Sequence, residues 1–149
     1  MRFLVAVDGS RQSEQTIEYA VELAEATGAS VTLVYAVDPE VYSEGGMEPI
    51  SSLSDADQRL IIEDIEDAER RAEDVLDEAV RIAENLGVEV ETETIYGDPV
   101  VSIPSFAESE GYDNLFVGHQ GRSERTERVI GSVAKGIVER SSIPVTVVR

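Results

Sequence analysis

Gly118, Gly121, Gly131 and Ser132 are the residues whose types and spacing could do chemistry. They form G-x2-G-x9-G-S, and the first glycine directly follows the apolar run Leu115-Phe116-Val117. Val133, Ala134, Ile137 and Val138 then begin a helical pattern. A strand that leads through glycines to a helix start is a phosphate site in outline. Glycine lets backbone N–H groups approach an anion closely, and the free amides and dipole of the helix N-terminus favour negative charge. A surface loop with turn glycines and a glycine cap would share this spacing, so the flanking segments have to decide.

The spacer holds Arg122, Arg125 and Arg128, separated by Glu124 and Glu127. Arg122 and its neighbours could clamp phosphates. A charged loop satisfied by its own ion pairs has the same composition. His119, the only histidine in the chain, stands on the turn and could titrate near neutrality. A lone histidine on a turn is more often a bystander. At the other end of the chain, Asp8-Gly9-Ser10 closes the first apolar run and offers a carboxylate.

Composition narrows the chemistry. There is no cysteine, which excludes disulfides, thiolate nucleophiles and Cys-based zinc. No G-x4-G-K-[ST] loop, Ser–His arrangement or paired carboxylates stand out, so no catalytic residue is assigned. Acidic residues number 31 against 12 basic, a formal charge of −19. Such a chain repels nucleic acid and anionic membranes. The acid is spread along the sequence and reads as a solvated surface of the kind suited to a salt-rich cytoplasm. ATP is an anion too, but screening shortens from about 10 Å at 0.1 M salt to about 3 Å at 1 M, where only local contacts matter. No run approaches membrane-spanning length and no leader pattern opens the chain, so a cytoplasmic protein is expected.

The 149 residues suffice for one domain. Apolar runs at 2–7 and 31–37 read as buried strands, and 88–95 alternates V-E-V-E-T-E-T-I like a strand with one wet face near a sheet edge. Ser10 or Ser13 can cap a first helix that ends at Gly28. Residues 38–54 are acidic and rich in Pro, Gly and Ser, and form an insert that is either a lid or a tolerated surface loop. Ser54 and Asp57 resemble a capping box before a long helix whose apolar positions run Ile61, Ile65, Ala68, Ala72, Val75, Ala79, Ile82, Leu86. That seam suits packing on a sheet better than a partner helix. Pro99 opens a third helix, in which Pro104 has no evident place. A strand at 113–117, a helix at 132–140 and a strand at 143–148 complete an alternating β-α pattern, which demands a parallel sheet with right-handed crossovers.

The glycine motif followed by V-A-K-G-I-V-E-R-S-S-I-P-V-T-V-V, together with F-L-V-A-V-D-G-S at 3–10, resembles the universal stress protein family in its ATP-binding subgroup. The likeness spans nearly the whole chain. It implies a single α/β domain over 1–149: three layers, an open parallel five-stranded sheet in the order 3-2-1-4-5, Rossmann-like and of the adenine nucleotide alpha hydrolase type. In that order Asp8 and Gly118 end neighbouring strands at the switch point, where open α/β sheets bind ligands. The resemblance implies ATP, with magnesium, held by Ala6 and Ala36 at adenine, Asp8 at the nucleoside, Gly118, Gly121 and Arg122 on the turn, and Gly131, Ser132 and Val133 at the phosphates. Ala6 and Ala36 are equally core residues by type. A homodimer through the edge strand between Ile143 and Val148 is expected, a covered edge being the alternative. The function implied is nucleotide-dependent regulation in a stress response. The alternatives are a slow ATPase or phosphotransferase and a dimeric scaffold that ignores nucleotide.

Overall fold

A computed structural model describes residues 1–38, 55–120 and 130–149, with side chains of the long helix from residue 65 onward. The insert beyond Asp38, its capping Ser54, and Gly121, Arg122, Arg125 and Arg128 lie outside the described residues. The elements run β1 Arg2–Ala6, α1 Arg11–Thr27, β2 Ser30–Val37, α2 Asp55–Asn85, β3 Val90–Tyr96, α3 Pro99–Ser109, β4 Asn114–Gly118, α4 Ser132–Arg140 and β5 Val145–Val148. All four strand pairings are parallel and the order is β3-β2-β1-β4-β5, as the family likeness implied.

Strand alternation sorts the core into two faces. Phe3, Val5, Val7, Leu33 and Phe116 point to one side and pack under α1 and α2. Leu4, Val34, Leu115 and Val117 point to the other, against Ile103 and Ala107 of α3 and Ala134 and Ile137 of α4. Helix α2 lies on the first face through small residues: Ala68, Ala72, Ala79 and Ala83 are buried, with Leu76 among them. From Ile65 onward the seam therefore packs within the fold, except Leu86, which is exposed where the helix runs out. Strand β3 keeps Glu91, Thr92 and Glu93 exposed, as befits an edge.

Caps place the helices that flank the site. Ser10 is the one that caps α1: its hydroxyl accepts from the Ser13 amide at 3.2 Å, and Gly28 closes the helix at φ 73°. Asp98 caps α3, accepting from the Val100 amide at 3.0 Å. Helix α3 runs straight through Pro104, which is buried. The missing N–H forfeits one bond, to the Val100 carbonyl, close to the helix start where the ladder has barely begun.

Helix α4 is seated by contact with α3. A Cβ added at Gly136 would stand 2.5 Å from Val100 Cγ1, closer than any real methyl contact. Val100 is β-branched and has little rotamer freedom to retreat. Gly136→Ala is expected to lower stability by about 1–2 kcal/mol, overpacking outweighing the helix-propensity gain of alanine. Chemical denaturation checks this, and Val100→Ala in the same chain should recover part of the loss.

Candidate functional site

The site arises where two strands part. Strand β1 pairs with β4 only as far as Val5↔Phe116, while its ladder with β2 continues to Ala6↔Val34. Beyond that point β1 turns toward α1 and β4 runs on toward α4. The crevice between them sits at the carboxyl ends of the strands, the switch point of an open α/β sheet. It holds a cavity of about 180 Å³.

Its walls bring together residues far apart in sequence. Ala6, Val7 and Asp8 come from the end of β1, Tyr35 and Ala36 from β2, Pro99 and Ile103 from α3, Val117 and Gly118 from β4, and Gly131, Ser132 and Val133 from the start of α4. Seven of the nine sequence-predicted site residues thus meet at one crevice, and the other two, Gly121 and Arg122, lie outside the described residues. Sequence reasoning missed Tyr35 of β2, and also Pro99, Ile103 and Ala134, whose arrival depends on how α3 and α4 cover the sheet. Alternation could have pointed to Val117, since it shares a face with Leu115.

The polar geometry refines several roles. Asp8 is engaged in its own turn: Oδ1 accepts from the Ser10 amide at 2.9 Å, and the Asp8 amide reaches the Ser13 hydroxyl at 3.3 Å. Gly9 makes this turn possible at φ 80°, and Val75 of α2 packs where its Cβ would be, 3.0 Å from Cγ2. Gly118 ends β4 as expected, and its missing side chain also lets α1 pack close. An added Cβ would meet Gln12 Cβ at 3.2 Å and Thr16 Oγ1 at 3.3 Å.

The start of α4 also departs from expectation. Gly131 caps the helix at φ −60°, ψ 154°, with no side-chain cap. Its amide, expected to face phosphate, donates to the His119 carbonyl at 2.8 Å. That bond ties the end of β4 to the beginning of α4. The first intrahelical bond runs from the Lys135 amide to the Gly131 carbonyl at 3.0 Å. The amides of Ser132, Val133 and Ala134 therefore precede the helical ladder, and Ser132 and Val133 are exposed. The Gly131 amide is thus engaged within the fold and is not available to an anion at this helix end.

His119 is no bystander on a wet turn. It is 4% exposed, its amide donates to the Val148 carbonyl at 2.7 Å, and its buried Nε2 has no hydrogen-bond partner.

The model of the Universal stress protein family matches residues 1–149. The chain belongs to that family. A universal stress protein of Methanocaldococcus jannaschii is 27% identical over 99% of the chain and 81% of its own length. Among solved structures, the universal stress protein UspA of Lactobacillus plantarum superposes at TM-score 0.82 with 22% identity, over 100% of this chain and 97% of that one. The Archaeoglobus fulgidus universal stress protein in complex with dAMP superposes at TM-score 0.71 with 23% identity, over 100% and 98%. At these identities the structural likeness establishes the fold, and family membership places the chain among stress-response proteins. Among the described residues no helix is long and apolar enough to cross a membrane.

Proposed function

We propose that the crevice binds an adenine nucleotide, ATP with magnesium, and that occupancy makes the chain a nucleotide-dependent regulator in the stress response. The observation that carries this is the meeting of an apolar slot and a glycine-capped helix start in one cavity. Ala6, Ala36, Ile103 and Val117 present the flat apolar surface that a purine needs. The first turn of α4 presents amides to phosphate. A family relative in complex with dAMP supports the same ligand class. Asp8 accepts from the ribose with whatever capacity its turn leaves, magnesium arrives with the phosphates, and Gly121 and Arg122 complete the site from the loop.

On this reading the protein works in the cytoplasm as a homodimer. Strand β5 is a sheet edge with half-buried side chains. The carbonyls of Pro144 and Val148 accept bonds from β4, so Val145 and Val147 turn their amides away from it and toward a second copy.

One preparation tests both statements. The purified protein, denatured, should release adenine nucleotide, and the stripped protein should bind ATP with magnesium in high salt without steady release of ADP. Steady turnover would favour a slow ATPase, and no uptake would leave a scaffold. Sedimentation should show a dimer, and Val147→Pro, which removes an outward amide, should shift it to monomer. An unchanged dimer would place the contact elsewhere.

A further inference from the structure

The cleft contains a polar group that the protein itself leaves without a partner. His119 Nε2 is buried and unpartnered, and a nitrogen in that state has lost its hydration with no hydrogen bond to replace it. Gln12 Oε1, the other buried orphan among the described side chains, is on α1, whose Cβ faces Gly118 rather than the cavity. Native structures rarely leave such atoms unsatisfied without a use for them.

We propose that His119 is a phosphate-contacting residue of the cleft, its Nε2 donating to an oxyanion of the nucleotide; this rests on the nucleotide reading above. Three observations converge. His119 is one of the residues that line the cavity. Its own carbonyl holds the Gly131 amide at 2.8 Å, which fixes the ring's backbone beside the first turn of α4. The ring's Cβ–Cγ torsion is soft and two-fold, so a rotation delivers Nε2 to a bound group at little cost.

The surroundings call for such a donor. The other ionisable side chains on the wall are Asp8 and Tyr35. From α1 comes Ser13, from α3 Pro99 and Ile103, from α4 Ser132, Val133, Ala134 and Ile137, and none of these is charged. Strand β5 meets His119 through the Val148 carbonyl. An oxyanion here would face the Asp8 carboxylate and the field of a chain at −19 with no described cation in the cavity to offset them. An imidazole donor at the end of β4, beside the start of α4, would add a contact to the phosphate that the Asp8 carboxylate cannot supply.

Because His119 is the only histidine, its ring signals report on the site without ambiguity. In protein carrying ¹⁵N-histidine, ATP should move the Nε2 resonance and adenosine should leave it in place. His119→Leu should weaken ATP binding about tenfold or more, the size of one charge-assisted hydrogen bond, while adenosine affinity stays unchanged. Its melting temperature should hold or rise, since an unpartnered buried polar group has been removed. His119→Gln, which keeps a donor, should restore most of the affinity. Equal losses for ATP and adenosine, or no loss with an unmoved Nε2, would overturn the proposal while nucleotide binding stood. A wild-type protein that takes up neither ligand would overturn the nucleotide reading and this inference with it. Should the leucine variant not fold, the wild-type spectra decide.

Discussion

Ser132→Pro is expected to leave the fold intact and to cut nucleotide affinity by about ten- to a hundredfold. Proline is at home in the first position of a helix, where its missing N–H has no intrahelical carbonyl to reach and its fixed φ suits the turn. The residue before it must be extended, and Gly131 already sits at φ −60°, ψ 154°. The Gly131 amide keeps its bond to the His119 carbonyl, and Lys135 keeps its bond to the Gly131 carbonyl. What the substitution removes is the Ser132 amide and hydroxyl, both at the glycine-capped start of α4. A hydrogen bond to a charged group contributes about 1.5–3 kcal/mol, which sets the expected loss. Ser132→Ala separates the two groups: it deletes the hydroxyl alone and should cost only a few-fold. Titration calorimetry alongside a melting curve reads both quantities. An unchanged affinity in the proline variant would remove α4 from the ligand, and a collapsed melting temperature would show that the Ser132 amide holds the fold.

The same helix shows why some roles could be read in the sequence and others could not. The spacing G-x2-G-x9-G-S located the start of α4 to the residue, because a glycine beside an apolar-periodic segment marks a helix boundary by backbone chemistry alone. Strand alternation located β3 at an edge for a similarly local reason: Glu91 and Glu93 cannot be buried on both faces. The strand order itself followed from family likeness, since nothing in the periodicity says that β1 lies between β2 and β4. The glycines were legible as glycines but not in their reasons. Gly118 answers to the approach of Gln12 and Thr16, and Gly136 to Val100 on a neighbouring helix, contacts that exist only after the layers close. His119 was misjudged on the same ground: its backbone bonds to Val148 across the sheet, twenty-nine residues further along the chain (148 − 119), a neighbour that no local pattern announces. Local chemistry predicts ends and faces; the partner across a layer is supplied by topology.

The second large effect concerns salt. Melting in dilute buffer should occur at least about 10 °C lower than in molar potassium chloride. The chain carries −19, with the acid distributed over every helix and over β3 rather than gathered in a tail. Repulsion among these charges acts over about 30 Å at 0.01 M salt, the width of the whole domain, and over about 3 Å at 1 M. Two ion pairs illustrate how little a surface pair offsets this. Arg70 pairs with Asp67 at 2.8 Å and Arg81 with Glu78, but both pairs are exposed neighbours on α2, a class that contributes about 1 kcal/mol or less. The hydrogen bond from Arg81 holds the Glu78 carboxyl below its ordinary value, so that acid stays charged, as the −19 already counts it. Helix α2 is held largely through alanines, each of which buries little surface, so its attachment contributes modestly against this repulsion. A few kcal/mol of screened repulsion converts to roughly 10 °C for a domain of this size. Potassium chloride is the informative salt, since sulfate would also strengthen apolar burial and blur the cause. Full stability in dilute buffer would mean that the acidic surface is tolerated without help from ions. Nucleotide affinity should then track the same axis, rising with salt as the field around the cleft is screened, whereas a protein that bound phosphate through surface cations would lose affinity instead.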